Sequence, residues 1–211
     1  MRRGTRLVYV FISDITICNI RNYSDFVPDN PNLIFIEDGE IVLILTSAEK
    51  YLSTTTTILK SMLNEKGYKC LYVTINRPYK VLVNILKKNG ILTENIFFID
   101  LISRLTRTAV DGVSDCLFIE SPDSLTELSI AISESVKNMP GDKKLMFLDS
   151  LSTLLVYNQS GTVTKFAHFL FSKMKTEGVE TIILSLEKEM EEKMTDQIAM
   201  FVDKVIRVNG E

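Results

Sequence analysis

Residues 41–63 read IVLILTSAEKYLSTTTTILKSML, and this stretch decides the fold. Its first five residues are all apolar, as expected of a strand that is buried on both faces of a sheet. The second half carries an apolar stripe at helical spacing: Ile58, Leu59, Met62 and Leu63. Gly67 then suits the left-handed residue that ends many helices. A strand, a tight connection and a helix in this order predict the first strand–helix turn of an α/β protein, where phosphate-binding loops lie.

Strand and helix patterns alternate along the rest of the chain. Strand-like apolar runs occupy residues 7–12, 33–37, 41–45, 70–75, 96–100, 116–120, 145–148, 181–186 and 201–208. Helical patterns occupy residues 78–88, 163–175 and 187–199, and a further helix opens at Ser121–Pro122. This alternation predicts an α/β fold of three layers, with a mostly parallel central sheet flanked by helices. Ligands then bind beyond the carboxyl ends of the central strands.

Two connections between these elements carry specific signals. The Asp38–Gly39 pair lies between two strand-like runs and predicts a hairpin that joins them. Residues 18–32 are polar and contain two prolines, which predicts an exposed connection.

The composition excludes several classes of protein. Hydrophobic residues make up 45% and charged residues 24% of the 211 residues, and the net charge is −3, so neither nucleic acid nor an anionic membrane is an expected partner. No apolar run approaches the roughly 18 residues of a spanning helix. The three cysteines, at 18, 70 and 116, form no Cys-x-x-Cys pair, which argues against a zinc site and favours the reducing cytoplasm.

The strand ends resemble those of the RecA-like ATPases, and specifically of the KaiC-like branch. The resemblance is carried by the order and spacing of DGEIVLILT, GYKCLYVT, FFID, LMFLDSLSTLL and VDKVIRV. It implies a single RecA-like domain over residues 1–211, with a core at 33–209 and a divergent N-terminal segment at 1–32. It also places Asp149 at the Walker B aspartate, which in the family orders magnesium through water.

The chain departs from the family at the phosphate loop, whose pattern is G-x-x-x-x-G-K-[ST]. Ser47 and Leu52 stand at the two glycines and Ser53 at the lysine, so that only Thr54 matches. Glycine conformations let backbone N–H groups surround the phosphates, and the lysine offsets their charge. Leu52 in a left-handed conformation would cost about 1–2 kcal/mol. The resemblance therefore implies a degenerate Walker A motif.

Residues 47–52 are instead compatible with a helix, with Ser47 as a plausible N-cap and Glu49 near the positive end of the helix dipole. We expect either a helix that starts early or a collapsed loop that fills the phosphate pocket. Lys50 could replace the missing lysine, or it could be a solvated surface residue.

The position of the catalytic base also departs from the family. KaiC-like enzymes carry a pair of glutamates after the second strand, where this chain has Asn76 and Arg77. An arginine side chain has no acceptor and cannot serve as a base. We therefore expect no catalytic residue, and only a vestigial nucleotide-binding set: Thr54, Asp149, Lys50 and Ser53.

Several of these residues have a structural interpretation as well. Asp149 can cap the strand–helix turn that follows it, and Asp100 can do the same at the end of its strand. The single histidine, His168, falls opposite an apolar stripe and is expected in solvent or at an interface. Met190 and Met194 suit either the core or an adaptable contact surface.

Three functions remain open. The first is a catalytically inactive pseudo-ATPase that binds a protein partner or self-associates, because members of the family work as rings or filaments; it requires no cofactor. The second is an unconventional ATPase that binds ATP and magnesium through Lys50, Ser53, Thr54 and Asp149. The third is an unrelated α/β enzyme.

Overall fold

The computed structural model describes residues 7–11, 15–20 and 33–208. The strands are β1 (Leu7–Phe11), β2 (Ile15–Ile20), β3 (Leu33–Glu37), β4 (Ile41–Thr46), β5 (Lys69–Thr74), β6 (Ile96–Asp100), β7 (Cys116–Phe118), β8 (Lys144–Asp149), β9 (Glu180–Leu186) and β10 (Lys204–Val208). The α-helices are α1 (Tyr51–Leu59), α2 (Tyr79–Lys88), α3 (Leu125–Asn138), α4 (Leu151–Tyr157), α5 (Ser160–Glu177) and α6 (Glu192–Ala199). A π-helical segment, Lys60–Glu65, continues α1.

Eight of the strands form one sheet in the order β2-β10-β4-β9-β8-β5-β6-β7. Strand β2 runs antiparallel to β10, and all the other neighbours are parallel. Strands β5 and β8 are in register, so that Thr74 lies beside Asp149 at their carboxyl ends. The predicted α/β fold with a mostly parallel central sheet is confirmed.

Strand β4 shows how its sequence creates the layers. All six of its residues are buried, and successive side chains point to opposite faces. Ile41, Leu43 and Leu45 belong to the core that the sheet forms with α3, α4, α5 and α6. Val42 and Ile44 belong to the opposite core, which contains buried residues of α1 and α2. An uninterrupted apolar strand is therefore required, because both faces are covered.

The predicted hairpin at Asp38–Gly39 is wrong, although a turn does form there. Gly39 has φ +70°, as the turn requires. Strand β3, however, pairs antiparallel with β1 in a separate sheet of two strands. The reason is that β4 already has β10 on one side and β9 on the other, so it has no free edge for β3.

Several predicted boundaries also differ. Pro122 lies in a turn, and α3 starts only at Leu125, after Ser124. The last strand begins at Lys204 and not at residue 201, because residues 201–203 form a turn. In this turn the Asp203 carboxylate accepts a hydrogen bond from the Ile41 N–H at 2.9 Å. Residues 18–20, predicted as a connection, belong to β2, whereas residues 21–32 lie outside the described part of the chain.

In the part of the chain that the structure describes, no helix combines the length and the apolar character needed to cross a bilayer.

Candidate functional site

The carboxyl ends of β4, β5, β8 and β9 lie side by side in the middle of the sheet. A cavity of about 400 Å³ opens beyond these ends, and we name it the strand-end pocket. It is lined by Ala48, Tyr51, Asn76, Arg77, Thr153, Val156, Leu186 and Glu189. The pocket thus occupies the position where α/β proteins of this topology bind ligands.

The connection after β4 is a short turn followed directly by α1. Helix α1 begins at Tyr51, and the Thr54 N–H donates to the Lys50 carbonyl at 2.9 Å. Ser47 is not the N-cap that its position suggests: Lys50 is, and the Ser47 Oγ only accepts the Lys50 N–H at 3.4 Å. Leu52 therefore lies in a regular helix and not in an open loop.

The Tyr51 side chain turns inward and reaches Asp149. The Tyr51 hydroxyl donates to Asp149 Oδ1, and the Tyr72 hydroxyl donates to Asp149 Oδ2. The Asn76 side-chain amide also donates to Oδ1, at 2.7 Å. Tyr51 is 6% exposed, Tyr72 is fully buried and Asp149 is 1% exposed. Both oxygens of this carboxylate are therefore engaged by side chains of the protein itself.

The interpretation of Asp149 as a helix cap is wrong. The cap of α4 is the next residue, Ser150, whose Oγ accepts the Thr153 N–H at 3.3 Å. Asp149 instead bonds residues of two other elements, because Tyr51 lies on α1 and Tyr72 on β5.

Asn76 links this buried group to the floor of the strand-end pocket. Its amide nitrogen also reaches the Ser150 hydroxyl at 3.3 Å, and its carbonyl oxygen accepts a hydrogen bond from the Thr153 hydroxyl. The guanidinium of Arg77 lies over the Tyr51 ring, 5.7 Å from the ring centre. Asn76 and Arg77 are therefore held by contacts with α4 and α1.

The environment holds both tyrosines in their protonated form. Burial, and then the nearby charge of Asp149, raise the pKa of Tyr51. The same two causes, in the same order, raise the pKa of Tyr72 well above its ordinary value of 10.0. Because a neutral hydroxyl can donate, each raised pKa preserves a hydrogen bond to Asp149.

The raised pKa values make stability depend on pH. Above about pH 10 a tyrosine in the unfolded chain loses its proton, whereas Tyr51 and Tyr72 in the folded protein keep theirs. High pH therefore favours the unfolded state, and the stabilisation that is present below about pH 10 is lost as the pH rises. We expect each tyrosine to lower the free energy of unfolding by roughly 1 kcal/mol per pH unit above this point. Urea denaturation of the Tyr72→Phe variant should show a shallower pH slope, and Tyr157→Phe, which changes an exposed ring, is the control.

The four sequence-predicted nucleotide-binding residues lie at two places: Lys50, Ser53 and Thr54 at the start of α1, and Asp149 at the end of β8. Asp149 accepts hydrogen bonds from the two tyrosines, and Thr54 is 2% exposed. Ser53 is exposed, and its hydroxyl donates to the Lys50 carbonyl at 2.9 Å.

Sequence reasoning missed Tyr51 and Tyr72. Tyr72 lies within the strand-like run CLYVTI, so its burial is predictable from the sequence. Because a buried tyrosine hydroxyl requires a hydrogen-bond partner, this burial could have indicated a contact with a carboxylate.

The remaining candidates have structural roles. The Asp100 carboxylate caps its turn, as predicted: Oδ1 accepts the N–H groups of Ile102 and Ser103 at 2.7 and 2.8 Å, and Oδ2 accepts that of Tyr79 at 2.6 Å. His168 is exposed, with its ring 4.5 Å from that of Phe201.

The two methionines of the acidic segment are buried, which confirms the core alternative for them: Met190 and Met194. Among the described residues, no three His, Cys, Asp or Glu side chains are grouped so that they could hold a metal ion.

Comparison with known proteins agrees with this architecture. The family model described as "ATPase: KaiC" matches residues 54–211, about three quarters of the chain. The match starts at Thr54, which stands at the last position of the phosphate-loop pattern. No curated protein matches the chain.

Solved structures show the same fold at low sequence identity. A KaiC-like protein of Pyrococcus horikoshii has a TM-score of 0.59 at 15% identity, covering 81% of this chain and 71% of that one. The flagellar accessory protein FlaH of Methanocaldococcus jannaschii has a TM-score of 0.50 at 14% identity, with the same coverage of 81% and 71%. An uncharacterized P. horikoshii protein in complex with an unknown peptide has a TM-score of 0.60 at 10% identity, with coverage of 82% and 78%. From the family match and this fold together, we conclude that the chain belongs to the KaiC ATPase family.

Proposed function

We propose that this chain is a pseudo-ATPase: a KaiC-family domain that does not hydrolyse ATP and that acts in the cytoplasm by binding a partner protein or further copies of itself. The observation that carries the proposal is the engagement of Asp149 by Tyr51 and Tyr72. A carboxylate at the Walker B position can order magnesium only through oxygens that are free to accept from its water ligands. Here both oxygens accept from the protein and the carboxylate is only 1% exposed, so the residues present do not fit a magnesium nucleotide.

The start of α1 supports the same conclusion. A polyphosphate needs backbone N–H groups that point at it and a cation within reach. The Thr54 N–H is bonded within the helix, and Leu52 and Ser53 replace the glycine and the lysine of the motif. The turn therefore presents side chains where the family presents bare amides.

The charges of the strand-end pocket point away from polyphosphate as well. Its lining contains one cation, Arg77, and one carboxylate, Glu189, beside apolar residues such as Val156 and Leu186. A nearly neutral lining with apolar walls suits an organic group better than three phosphates.

The base required for hydrolysis is also missing. Asn76, which stands at a glutamate position, donates to Asp149 and accepts from Thr153, so its amide is committed to the packing of the site. The structural neighbour that was crystallised with an unknown peptide supports a binding role, because it shows that a related fold accommodates a peptide.

The test is the melting temperature of the full chain with and without Mg-ATP. A ligand at about 100 times its dissociation constant would raise stability by roughly 2.7 kcal/mol, which is easily resolved. We expect millimolar Mg-ATP to leave the melting temperature unchanged. A saturable rise that requires magnesium would instead support the unconventional nucleotide site of Lys50, Ser53, Thr54 and Asp149. Light scattering on the same sample separates self-association from the 24.0 kDa monomer that a partner protein would recognise.

A further inference from the structure

We propose that the strand-end pocket binds the C-terminal residue of a partner polypeptide, with Arg77 holding the terminal carboxylate and Val156 and Leu186 contacting an apolar side chain. This inference rests on the proposed function, because it assigns a ligand to the pocket that a nucleotide would not fill.

Arg77 provides the anchor for the carboxylate. It is half-buried, it lies on the wall of the pocket, and its guanidinium packs over the Tyr51 ring at 5.7 Å. No carboxylate of the described residues forms an ion pair with it. A guanidinium that is held by stacking keeps its N–H groups available, and their fork matches the two oxygens of a carboxylate.

The apolar part of the lining selects an apolar side chain. Val156 is 74% exposed although it lines the pocket, and Leu186 is half-buried beside it. Exposed apolar surface around a concave site is typical of a surface that is covered when a ligand binds. Tyr157, the next residue along α4, is 42% exposed as well. The cavity of about 400 Å³ is larger than one amino acid fills, which favours a longer peptide over a free amino acid.

Glu189 limits the charge that the pocket can accept. Its carboxylate lines the same cavity as Arg77, and among the described residues the two form no ion pair. A ligand with one negative charge can pair with Arg77, whereas a second negative charge would be repelled by the Glu189 carboxylate. A peptide N–H can in turn donate to the Glu189 carboxylate. The lining therefore favours a chain terminus over a dicarboxylate or a polyphosphate.

The experiment compares matched probes by calorimetric titration of the full chain. The probes are N-acetyl-leucyl-leucine, its C-terminal amide and free leucine, and Mg-ATP is titrated separately. Because a hydrogen bond to a charged group is stronger than one to a neutral group, we expect the acid to bind at least about tenfold more tightly than its amide and more tightly than leucine. Equal affinities of acid and amide, no binding of the acid, or tightest binding of free leucine would each overturn the inference.

Variants locate the contact. Arg77→Gln should abolish the difference between acid and amide, while Lys88→Gln, which removes an exposed cation at the far end of α2, should preserve it. Val156→Glu provides a second test that does not threaten folding, because this side chain is largely exposed. It should weaken binding of the acid about tenfold through repulsion. An unchanged preference for the acid in both Arg77→Gln and Val156→Glu would contradict the assignment.

The titration with Mg-ATP distinguishes a failure of the proposed function from a failure of the peptide-terminus assignment. Saturable binding of Mg-ATP contradicts the proposed function, whatever the peptides do. Absence of binding by both Mg-ATP and the acid overturns only the assignment of the peptide terminus.

Discussion

Asp149→Ala should destabilise the protein by about 3–5 kcal/mol, more than a typical single substitution. The change leaves the hydroxyls of Tyr51 and Tyr72 in a buried site without their acceptor. Each such hydrogen bond to a charged group contributes about 1.5–3 kcal/mol. The measurement is the free energy of unfolding from urea denaturation. In an enzyme that uses this aspartate only for magnesium, the same change would lower activity and leave the fold stable.

The control is Asp142→Ala, which changes an exposed carboxylate and should alter stability by no more than about 0.5 kcal/mol. A double-mutant cycle with Tyr72→Phe tests the contact itself. Once Asp149 is absent, removal of the Tyr72 hydroxyl should have little further cost, because its acceptor is already gone. Additive effects of the two substitutions would show that the Tyr72–Asp149 bond does not stabilise the fold.

Tyr51→Ala should be the second large effect, with a loss of about 3–5 kcal/mol. The substitution removes a ring that is 6% exposed and a hydroxyl that donates to Asp149. The neighbouring Leu52→Ala is the matched control, since Leu52 is on the same helix and 40% exposed. The control should change stability by less than about 1 kcal/mol, again measured in urea. Equal losses for the two variants would mean that Tyr51 does not close the site.

Asp149 and its tyrosine donors connect three elements of the fold. Asp149 lies at the end of β8, and its hydrogen bonds connect this strand to Tyr51 on α1 and to Tyr72 on β5. A buried carboxylate with strong donors is stable only while all its partners are present. We therefore expect the stability of the fold to depend on the contacts of Asp149 with Tyr51 and Tyr72.

Much of the architecture could be predicted because the strands are buried on both faces. An uninterrupted apolar run such as residues 41–45 has few alternatives to a central parallel strand, and the regular alternation with helices indicates a mostly parallel sheet. The pairing of β3 could not be predicted in the same way. Asp38–Gly39 specifies a local turn, whereas the partner of a strand is decided by which edges are free in the assembled sheet.

The candidate site was only partly predictable for a similar reason. The loss of the glycines and the lysine is visible in the sequence, since it is a property of neighbouring residues. The role of Tyr51 depends on Tyr72 and Asp149, which lie 21 and 98 positions further along the chain and meet it only through the fold.

The most direct test of the closed site is a titration of the full chain with Mg-ATP, followed by nuclear magnetic resonance of the backbone amides of residues 47–54. We expect these amides to keep their chemical shifts at millimolar Mg-ATP, because the Thr54 N–H is bonded within α1 and both oxygens of Asp149 accept from the protein. Saturable shifts of these amides that vanish when magnesium is removed would contradict the account.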